Sequence, residues 1–336
     1  MIKTKIAIVG AGPAGSICAI TLQKAGVECL LIDKAEFPRD KLCGGGLQPH
    51  AWKLLESILP DFKYEYRTLS QLKMSYNGEL KGTYSLKDPM RIVQRKVFDS
   101  QLVQEYIKLG GKMLHETLHT VEEHPEGMLL NLRSGETVVC QHLIGADGAN
   151  SRVRKFLQPD FRSDVLCLEQ YEPIRPGQEP ELLIDFSTEY DNGYYYEFPA
   201  SNYIAIGYGD NHTKIETFRK HLKAHGYPER QILGAMITIS QDYPHHDRIT
   251  LVGDAGGWTD NLTAEGIHYA IATGYNAAQA IIQNVPFSQV NAAIERKKRH
   301  KLRDAKYFYT PIGMWLVRHA LSHKKVVELL LNRYFG

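Results

Sequence analysis

Residues 6–15, IAIVGAGPAG, are the stretch of sequence that decides the fold. Their pattern Gly-x-Gly-x-x-Gly stands between a strand predicted over Lys5 to Val9 and a helix predicted over Pro13 to Ala25. A second predicted strand, Glu28 to Ile32, is followed at once by Asp33, eighteen residues after the last glycine of the pattern. This order of strand, glycine turn, helix and strand predicts a βαβ unit that binds a dinucleotide.

The three glycines have different physical roles in such a turn. Gly10 permits a tight turn, Gly12 lets a pyrophosphate approach the backbone, and Gly15 lets the helix pack closely on the strand. The helix N-terminus faces the phosphates, and a carboxylate at position 33 can accept hydrogen bonds from ribose hydroxyls, which favours FAD or NAD over NADP. The residues that we expect to hold this part of the dinucleotide are Gly10, Gly12, Pro13, Ala14, Gly15, Asp33 and Lys34.

Two later turns favour FAD over NAD. Gly145-Ala146-Asp147-Gly148 follows an apolar strand, and Gly253-Asp254-Ala255 follows a strand predicted over Ile249 to Val252 and precedes a predicted helix. A carboxylate beside a helix N-terminus can accept hydrogen bonds from a ribityl chain, while nearby backbone amides meet the pyrophosphate. The predicted flavin contacts in these turns are Asp147, Gly148, Gly253 and Asp254.

In this order and spacing, the three turns resemble those of the FAD-dependent group that includes p-hydroxybenzoate hydroxylase, and the resemblance extends to about residue 285. Four segments resemble the geranylgeranyl reductase family more closely. They are KLCGGG at 41–46, VQRKVFD at 93–99, YYYEFP at 194–199 with GYG at 207–209, and GDAGG to LTAEGI over 253–267. Three residues depart from the family's motifs, since Tyr196 replaces Trp, Asn261 replaces Pro and Ala264 replaces Gly.

The resemblance implies roles for particular residues. Cys43 and Gly44 are expected beside the isoalloxazine ring, and Cys43 is the candidate catalytic residue, which could polarise the ring, help to protonate the substrate or merely fill space. Further FAD contacts implied in this way are Arg95, Val121, Gly266 and Ile267. The residues implied in the wall of a substrate cavity are Tyr194, Tyr196, Phe198 and Pro199, for which sheet packing is an equal interpretation.

We therefore predict an α/β protein with a Rossmann-like FAD-binding domain, an inserted antiparallel β-sheet substrate domain and C-terminal helices. The predicted segments are 1–70, 95–160 and 245–285 for FAD, 70–95 and 160–245 for substrate, and 286–336 for the helices. Within them, Asn77-Gly78 predicts a hairpin turn, Met113 to Val121 reads as one strand, and Ile312 to Tyr334 reads as one helix.

The net charge of +2 conceals an uneven distribution and argues against a nucleic-acid partner. The last 52 residues carry +8 and the preceding 284 carry −6. A basic amphipathic helix with Arg318, Lys325 and Arg333 on its polar side suits an anionic membrane surface, a lid over a phosphorylated substrate, or simple packing. Five cysteines without a dense framework favour a reducing, cytoplasmic location, with peripheral membrane contact as an option.

These observations favour three functions in turn. The first is an FAD-dependent reductase of carbon–carbon double bonds in a prenyl chain or another apolar substrate, which could be phosphorylated or prenylated. The second is an FAD-dependent monooxygenase that hydroxylates an aromatic substrate. The third is a non-catalytic FAD-binding protein that docks on membranes. Because no second Gly-x-Gly-x-x-Gly occurs, the electron donor is expected to be transient, either NAD(P)H or a redox protein. We expect no metal site, since His245-His246-Asp247 reads as a polar loop.

Overall fold

The computed structural model describes residues 1–163 and 165–335 as an α/β fold with two sheets. Its strands are β1 (Ile2–Val9), β2 (Cys29–Asp33), β3 (Gly46–Leu47), β4 (Arg67–Tyr76), β5 (Glu79–Ile92), β6 (Lys112–His115), β7 (Leu118–His124), β8 (Gly127–Leu132), β9 (Thr137–Gly145), β10 (Val165–Pro173), β11 (Leu182–Phe186), β12 (Tyr194–Pro199), β13 (Tyr203–Asp210), β14 (Leu233–Ile237) and β15 (Ile249–Leu251). Its helices are α1 (Pro13–Lys24), α2 (Pro49–Ile58), α3 (Arg95–Lys108), α4 (Arg152–Leu157), α5 (Ile215–Ala224), α6 (Ile267–Gln283), α7 (Phe287–Phe308), α8 (Pro311–Ala320) and α9 (Lys324–Phe335).

The first sheet has the order β6-β2-β1-β9-β8-β7, with β15 paired to β9. Strands β6, β2, β1, β9 and β15 run parallel, and β7 and β8 form an antiparallel extension. All five residues of β2 are buried, as expected for a parallel strand covered on both faces. Helices α1, α3 and α6 pack together on one face, so the predicted βαβ opening is confirmed.

The second sheet has the order β14-β10-β13-β12-β11-β4-β5-β3. Its neighbours pair antiparallel except β11 and β4, which are parallel. The hairpin between β4 and β5 is confirmed, because Asn77 and Gly78 have φ angles of 53° and 76°, both positive as a type I′ turn requires. The domain boundaries proposed from the sequence stay a prediction, although this sheet also takes in the short strand β3.

Two sequence-based element predictions were wrong. The strand expected over Met113 to Val121 is interrupted, because β6 extends the parallel part of the first sheet beside β2 whereas β7 pairs with β8. The single helix expected over Ile312 to Tyr334 is broken at residues 321–323. Leu321 is buried against the second sheet, and its carbonyl oxygen accepts a hydrogen bond from the Tyr84 hydroxyl, which fixes the break.

The C-terminal helices connect the two sheets. Helix α7 packs on α6 of the first sheet, and α9 packs on β5 of the second. Two lysines of α7 are buried: the ammonium of Lys301 lies 2.9 Å from Asp260, and that of Lys298 donates to carbonyl oxygens of Ser240 and Gly257. Part of the positive charge of residues 286–336 is therefore buried and holds α7 to the rest of the fold. No helix in the described part of the chain is both long and apolar enough to cross a bilayer.

Candidate functional site

The three glycine-containing turns meet at the carboxyl ends of the parallel strands. A Cβ placed on Gly10, whose φ is +103°, would lie 2.2 Å from the carbonyl oxygen of Ala146. A Cβ on Gly253 would lie 3.0 Å from the Cβ of Ala14, in the first turn of α1. Motifs separated by more than one hundred residues in sequence are thus in contact at the edge of one sheet.

The N-terminus of α1 has the chemistry of a pyrophosphate site. Helix α1 has no side-chain cap at its N-terminus, and a Cβ on Gly12 would meet nothing nearer than Arg39 Nη2, at 3.5 Å. In contrast, a Cβ on Gly15 would lie 1.8 Å from the carbonyl oxygen of Gly10, so this glycine is required for packing. Uncapped backbone amides and a nearby guanidinium are the chemistry that binds phosphate. Sequence reasoning missed Arg39.

Asp33 ends β2 beside this space and is nearly buried. Its Oδ2 accepts a hydrogen bond from Ala11 N at 2.6 Å, and its Oδ1 accepts one from Ala35 N at 2.8 Å. A carboxylate has about four acceptor sites, so these two bonds orient it and leave capacity for ribose hydroxyls. The neighbouring Lys34 side chain is exposed.

A second uncapped helix N-terminus lies nearby at α6. Gly266 is its N-cap residue and offers no side chain, while Ile267 is its first helical residue. A Cβ on Gly266 would lie 3.5 Å from Asp254 Oδ1, which also accepts a hydrogen bond from the Thr259 hydroxyl at 2.8 Å. Backbone amides and a partly exposed carboxylate therefore converge here, which is the donor and acceptor set that a flavin ring and its ribityl chain need.

Asp147 has a different setting from Asp254. Its Oδ2 accepts a hydrogen bond from Arg152 N at 2.7 Å, and its Oδ1 accepts one from the Ser151 hydroxyl, so the carboxylate caps α4. Burial raises the pKa of Asp147, although these hydrogen bonds act to lower it. Gly148 follows with a φ of +78°. A direct flavin contact by either residue stays a prediction.

The Cys43 loop lies against the second sheet. Cys43 Sγ accepts a hydrogen bond from Gly45 N at 3.4 Å and contacts the guanidinium of Arg95. Arg95 is buried and forms two 2.8 Å hydrogen bonds to Asp99; although burial acts to lower its pKa, this ion pair raises it. Arg95 thus links the Cys43 loop to Asp99 on α3. A Cβ on Gly44 would lie 2.8 Å from the ring of Tyr196, so the loop sits directly on β12.

A cavity of about 530 Å³ opens beside this loop. Its volume is within the roughly 300–1,000 Å³ usual for small-molecule sites. Most of its lining is apolar, and it is bounded by the Cys43 loop, the inner face of the second sheet, the start of α6 and helices α8 and α9. Tyr194, Tyr196 and Phe198 line it, as the alternation along β12 predicts, whereas Pro199 is buried at the end of the strand. The cavity therefore joins the predicted flavin side to a long apolar space.

One buried carboxyl group faces the cavity among these rings. Glu169 on β10 is 1% exposed, and its side chain accepts hydrogen bonds from the hydroxyls of Tyr196 and, at 3.0 Å, Tyr171. Burial raises its pKa, an effect only partly offset by the two hydroxyls. Sequence reasoning missed Glu169; the available signal was a charged residue two positions after Cys167 on a strand face that is otherwise apolar or aromatic.

The remaining predicted residues lie in the apolar core or at the surface. Val121 on β7 is buried in an apolar cluster with β8 and β9, and a cofactor contact there stays a prediction. His245 and Asp247 are exposed, as expected for a polar surface loop, and His246 pairs with Glu123. A further pair at the cavity edge was not predicted: His50 Nε2 lies 2.9 Å from Glu265 Oε2, next to Gly266.

The comparisons with known proteins concern the FAD-binding part of the chain and its whole length. The sequence profile of the FAD binding domain family matches residues 3–165. An uncharacterized protein of Methanosarcina barkeri is 30% identical over 303 residues, covering 85% of this chain and 76% of its own. The chloroplastic geranylgeranyl diphosphate reductase of Arabidopsis thaliana is 26% identical over 313 residues, covering 84% of this chain and 66% of its own. This chain thus spans about two thirds of the plant enzyme's length.

A solved structure shares the whole fold. The geranylgeranyl bacteriochlorophyll reductase-like protein of Thermoplasma acidophilum superposes with a TM-score of 0.76 at 20% identity, covering 100% of this chain and 91% of that one. The fold and the site together define an FAD-dependent oxidoreductase, and FAD is its cofactor. Within that class, the chain belongs to the geranylgeranyl reductase family.

Proposed function

We propose that this protein reduces carbon–carbon double bonds in a prenyl chain held in the apolar cavity. The observation that carries the proposal is the cavity itself, which begins at the Cys43 loop and the start of α6 and continues between apolar side chains of the second sheet and of helices α8 and α9. An isolated alkene carries almost no charge and no hydrogen-bonding group with which a protein could interact. Shape, exclusion of water and accurate placement are therefore what such a substrate requires of its site.

Reduction of an alkene needs a hydride at one carbon and a proton at the other, and reduced FAD supplies the hydride when bound. Phe198 and Tyr196 on one side, and Leu72 and Met74 on the other, hold the chain and exclude water. A proton on the buried Glu169 carboxyl group would be shared with the Tyr196 hydroxyl, which forms a hydrogen bond with Glu169 and belongs to a side chain that lines the cavity. In this proposal the Tyr196–Glu169 pair delivers the proton, and Cys43 and Arg95 support the loop.

We further propose that helices α8 and α9 rest on an anionic membrane surface. One side of the pair lines the cavity through Val317, Leu321 and Val327. Its other side exposes large apolar side chains, namely Ile312, Trp315, Leu316 and Leu329, and Leu330 is half-exposed at the cavity edge. The exposed lysines and arginines of the same helices are Arg318, Lys324, Lys325 and Arg333. An apolar face with flanking positive charge suits the headgroup region of anionic lipid, from which a prenyl chain could enter beside Leu330.

An anaerobic single-turnover experiment tests the reductase. The protein with bound FAD is reduced with dithionite, freed of excess reductant, and mixed with geranylgeranyl diphosphate or with a geranylgeranyl-chain lipid. We expect the flavin absorbance to return and the product to gain two hydrogen atoms per reduced bond. Absence of product and of flavin reoxidation with every prenyl chain would contradict the proposal. Consumption of oxygen with hydroxylation of an aromatic compound would favour the monooxygenase instead.

A further inference from the structure

The outer face of the second sheet carries a group of polar side chains that the cavity does not use. Side chains alternate along β11 and β12, so Ile184 and Tyr196 point into the cavity while Asp185, Tyr195 and Glu197 point away from it. Asp185 is completely buried. The outer face at this point is covered by α5 and the residue that follows it, His225.

Helix α5 presents two histidines to Asp185. His221 and His225 are four residues apart, and because the backbone N–H of His225 donates to the carbonyl oxygen of His221, the helical turn continues and places both on one face. His221 is 6% exposed. The Nε2 atoms of both rings are buried and form no hydrogen bond within the described residues. Buried polar atoms in this state cost free energy unless a partner satisfies them.

The distances fit a tetrahedral metal ion. His225 Nε2 lies 3.5 Å from Asp185 Oδ2, and one ligand atom from each of the three residues lies within 4.8 Å of the other two. Two ligands of a tetrahedral zinc ion, each about 2.0–2.1 Å from the metal, are about 3.3 Å apart. Small side-chain rotations would therefore bring all three atoms to bonding distance of one ion.

The surrounding contacts are those of a metal site's outer layer. The two oxygens of Asp185 accept hydrogen bonds from Gly78 N at 3.2 Å. The second ring nitrogen of His225, Nδ1, lies 3.5 Å from Glu197 Oε1, and Glu197 itself accepts a hydrogen bond from the Tyr227 hydroxyl at 2.6 Å. A histidine whose second nitrogen faces an anchored carboxylate is the usual arrangement around a bound metal, because it orients the ring and increases its basicity.

We propose that Asp185, His221 and His225 bind one divalent transition-metal ion, with zinc as the expected occupant. Two imidazoles and one carboxylate are ligands that suit zinc, and its fourth position falls towards Glu189, whose Oε2 lies 3.9 Å from His221 Nε2. The ion would fasten α5 to β11, on the opposite side of the sheet from the cavity. The competing arrangement is an ion pair of protonated His225 with Asp185 and Glu197, which leaves the buried Nε2 of His221 without a hydrogen bond within the described residues.

Metal analysis of the intact FAD-loaded protein tests the proposal. The purified protein is freed of metal with a chelator and titrated with zinc in competition with a chromophoric chelator. We expect one zinc ion per chain and a rise in the melting temperature on zinc addition. His221→Gln should abolish both effects, whereas the matched control His245→Gln, at an exposed histidine, should leave both unchanged.

Flavin absorbance and a second variant complete the test. The flavin absorbance should be unaltered by zinc, because the ion lies across the sheet from the cavity; this holds whether or not the protein reduces prenyl chains. If His221→Gln does not fold, the zinc titrations of Asp185→Asn and of the wild-type protein test the proposal instead. A wild-type protein that takes up no zinc under competition, or a His221→Gln protein that takes up as much, would overturn the proposal in favour of the ion pair.

Discussion

The two sheets differ in which atoms carry their function. In the first sheet, uncapped helix N-termini and glycine backbone face the cofactor space, and side chains such as Asp33 are held by the backbone. In the second sheet, the cavity is built from side chains of β4, β5, β10, β11 and β12, and helices α8 and α9 complete it. A site built from backbone atoms tolerates few substitutions and has a recognisable sequence motif. A site built from side chains can change its ligand specificity through single substitutions.

The largest effect is expected from Gly15→Val, in the backbone-built site. Its Cβ would lie 1.8 Å from the Gly10 carbonyl oxygen, so the turn must move. We expect purification without FAD and a loss of about 3 kcal/mol or more in the free energy of unfolding. Flavin absorbance and denaturant unfolding measure both. The control is Gly26→Ala, where a Cβ would meet nothing within 4 Å despite a φ of +73°; equal loss of FAD in both variants would contradict this account of the turn.

Lys301→Met tests whether the basic C-terminal segment is structural. The Lys301–Asp260 pair is buried, so removing one charge is expected to cost about 3 kcal/mol of unfolding free energy. Burial acts to raise the pKa of Asp260, but Lys301 outweighs it and lowers that pKa. The stability contributed by Asp260 is therefore present at neutral pH and lost as the pH falls below the ordinary value of about 3.9. Urea unfolding across pH checks this, with the exposed Lys325→Met as control; equal stability of the two variants would mean that the pair contributes nothing.

Glu169→Gln tests the proton path in the side-chain-built site. It keeps the shape of the side chain but removes the proton, so FAD binding should be unchanged while the rate of alkene reduction falls about 100-fold. Because burial raises the pKa of Glu169, the wild-type rate should fall as pH rises through a pKa that lies above the ordinary carboxyl value of about 4.3, and the variant should lack this dependence. Stopped-flow flavin reoxidation across pH measures both. An unchanged rate and pH profile would assign the proton to another group.

The smallest effect is expected from Leu330→Glu on the surface of α9. Leu330 is half-exposed at the cavity edge, and losing its insertion should weaken binding to anionic vesicles about fivefold, equivalent to about 1 kcal/mol. Leu80→Glu is a matched control, because Leu80 is equally exposed but lies on β5, away from α8 and α9. Vesicle sedimentation measures the affinity. Equal weakening in both variants, or no binding by the wild-type protein, would count against the membrane surface.

The same contrast explains what could be predicted from the sequence. Gly10, Gly12 and Gly15 indicated the βαβ unit because local backbone geometry demands glycine at a fixed spacing. Arg39 belongs to no local pattern, and only the tertiary fold brings it near the N-terminus of α1. Glu169 offered one local signal, a charge on an otherwise apolar or aromatic strand face, but only the tertiary fold makes that face part of the cavity wall. The break between α8 and α9 was missed for the same reason, since it depends on a hydrogen bond from Tyr84, more than two hundred residues earlier.

A crystal structure of the protein with FAD and a geranylgeranyl chain tests the central claim most directly. We expect the pyrophosphate in front of Gly12 and the flavin ring beside the Cys43 loop and the start of α6. The prenyl chain should lie in the apolar cavity, with a double bond facing both the ring and the Tyr196 hydroxyl. A prenyl chain bound elsewhere on the protein, or a cavity that stays empty while FAD is fully bound, would contradict it.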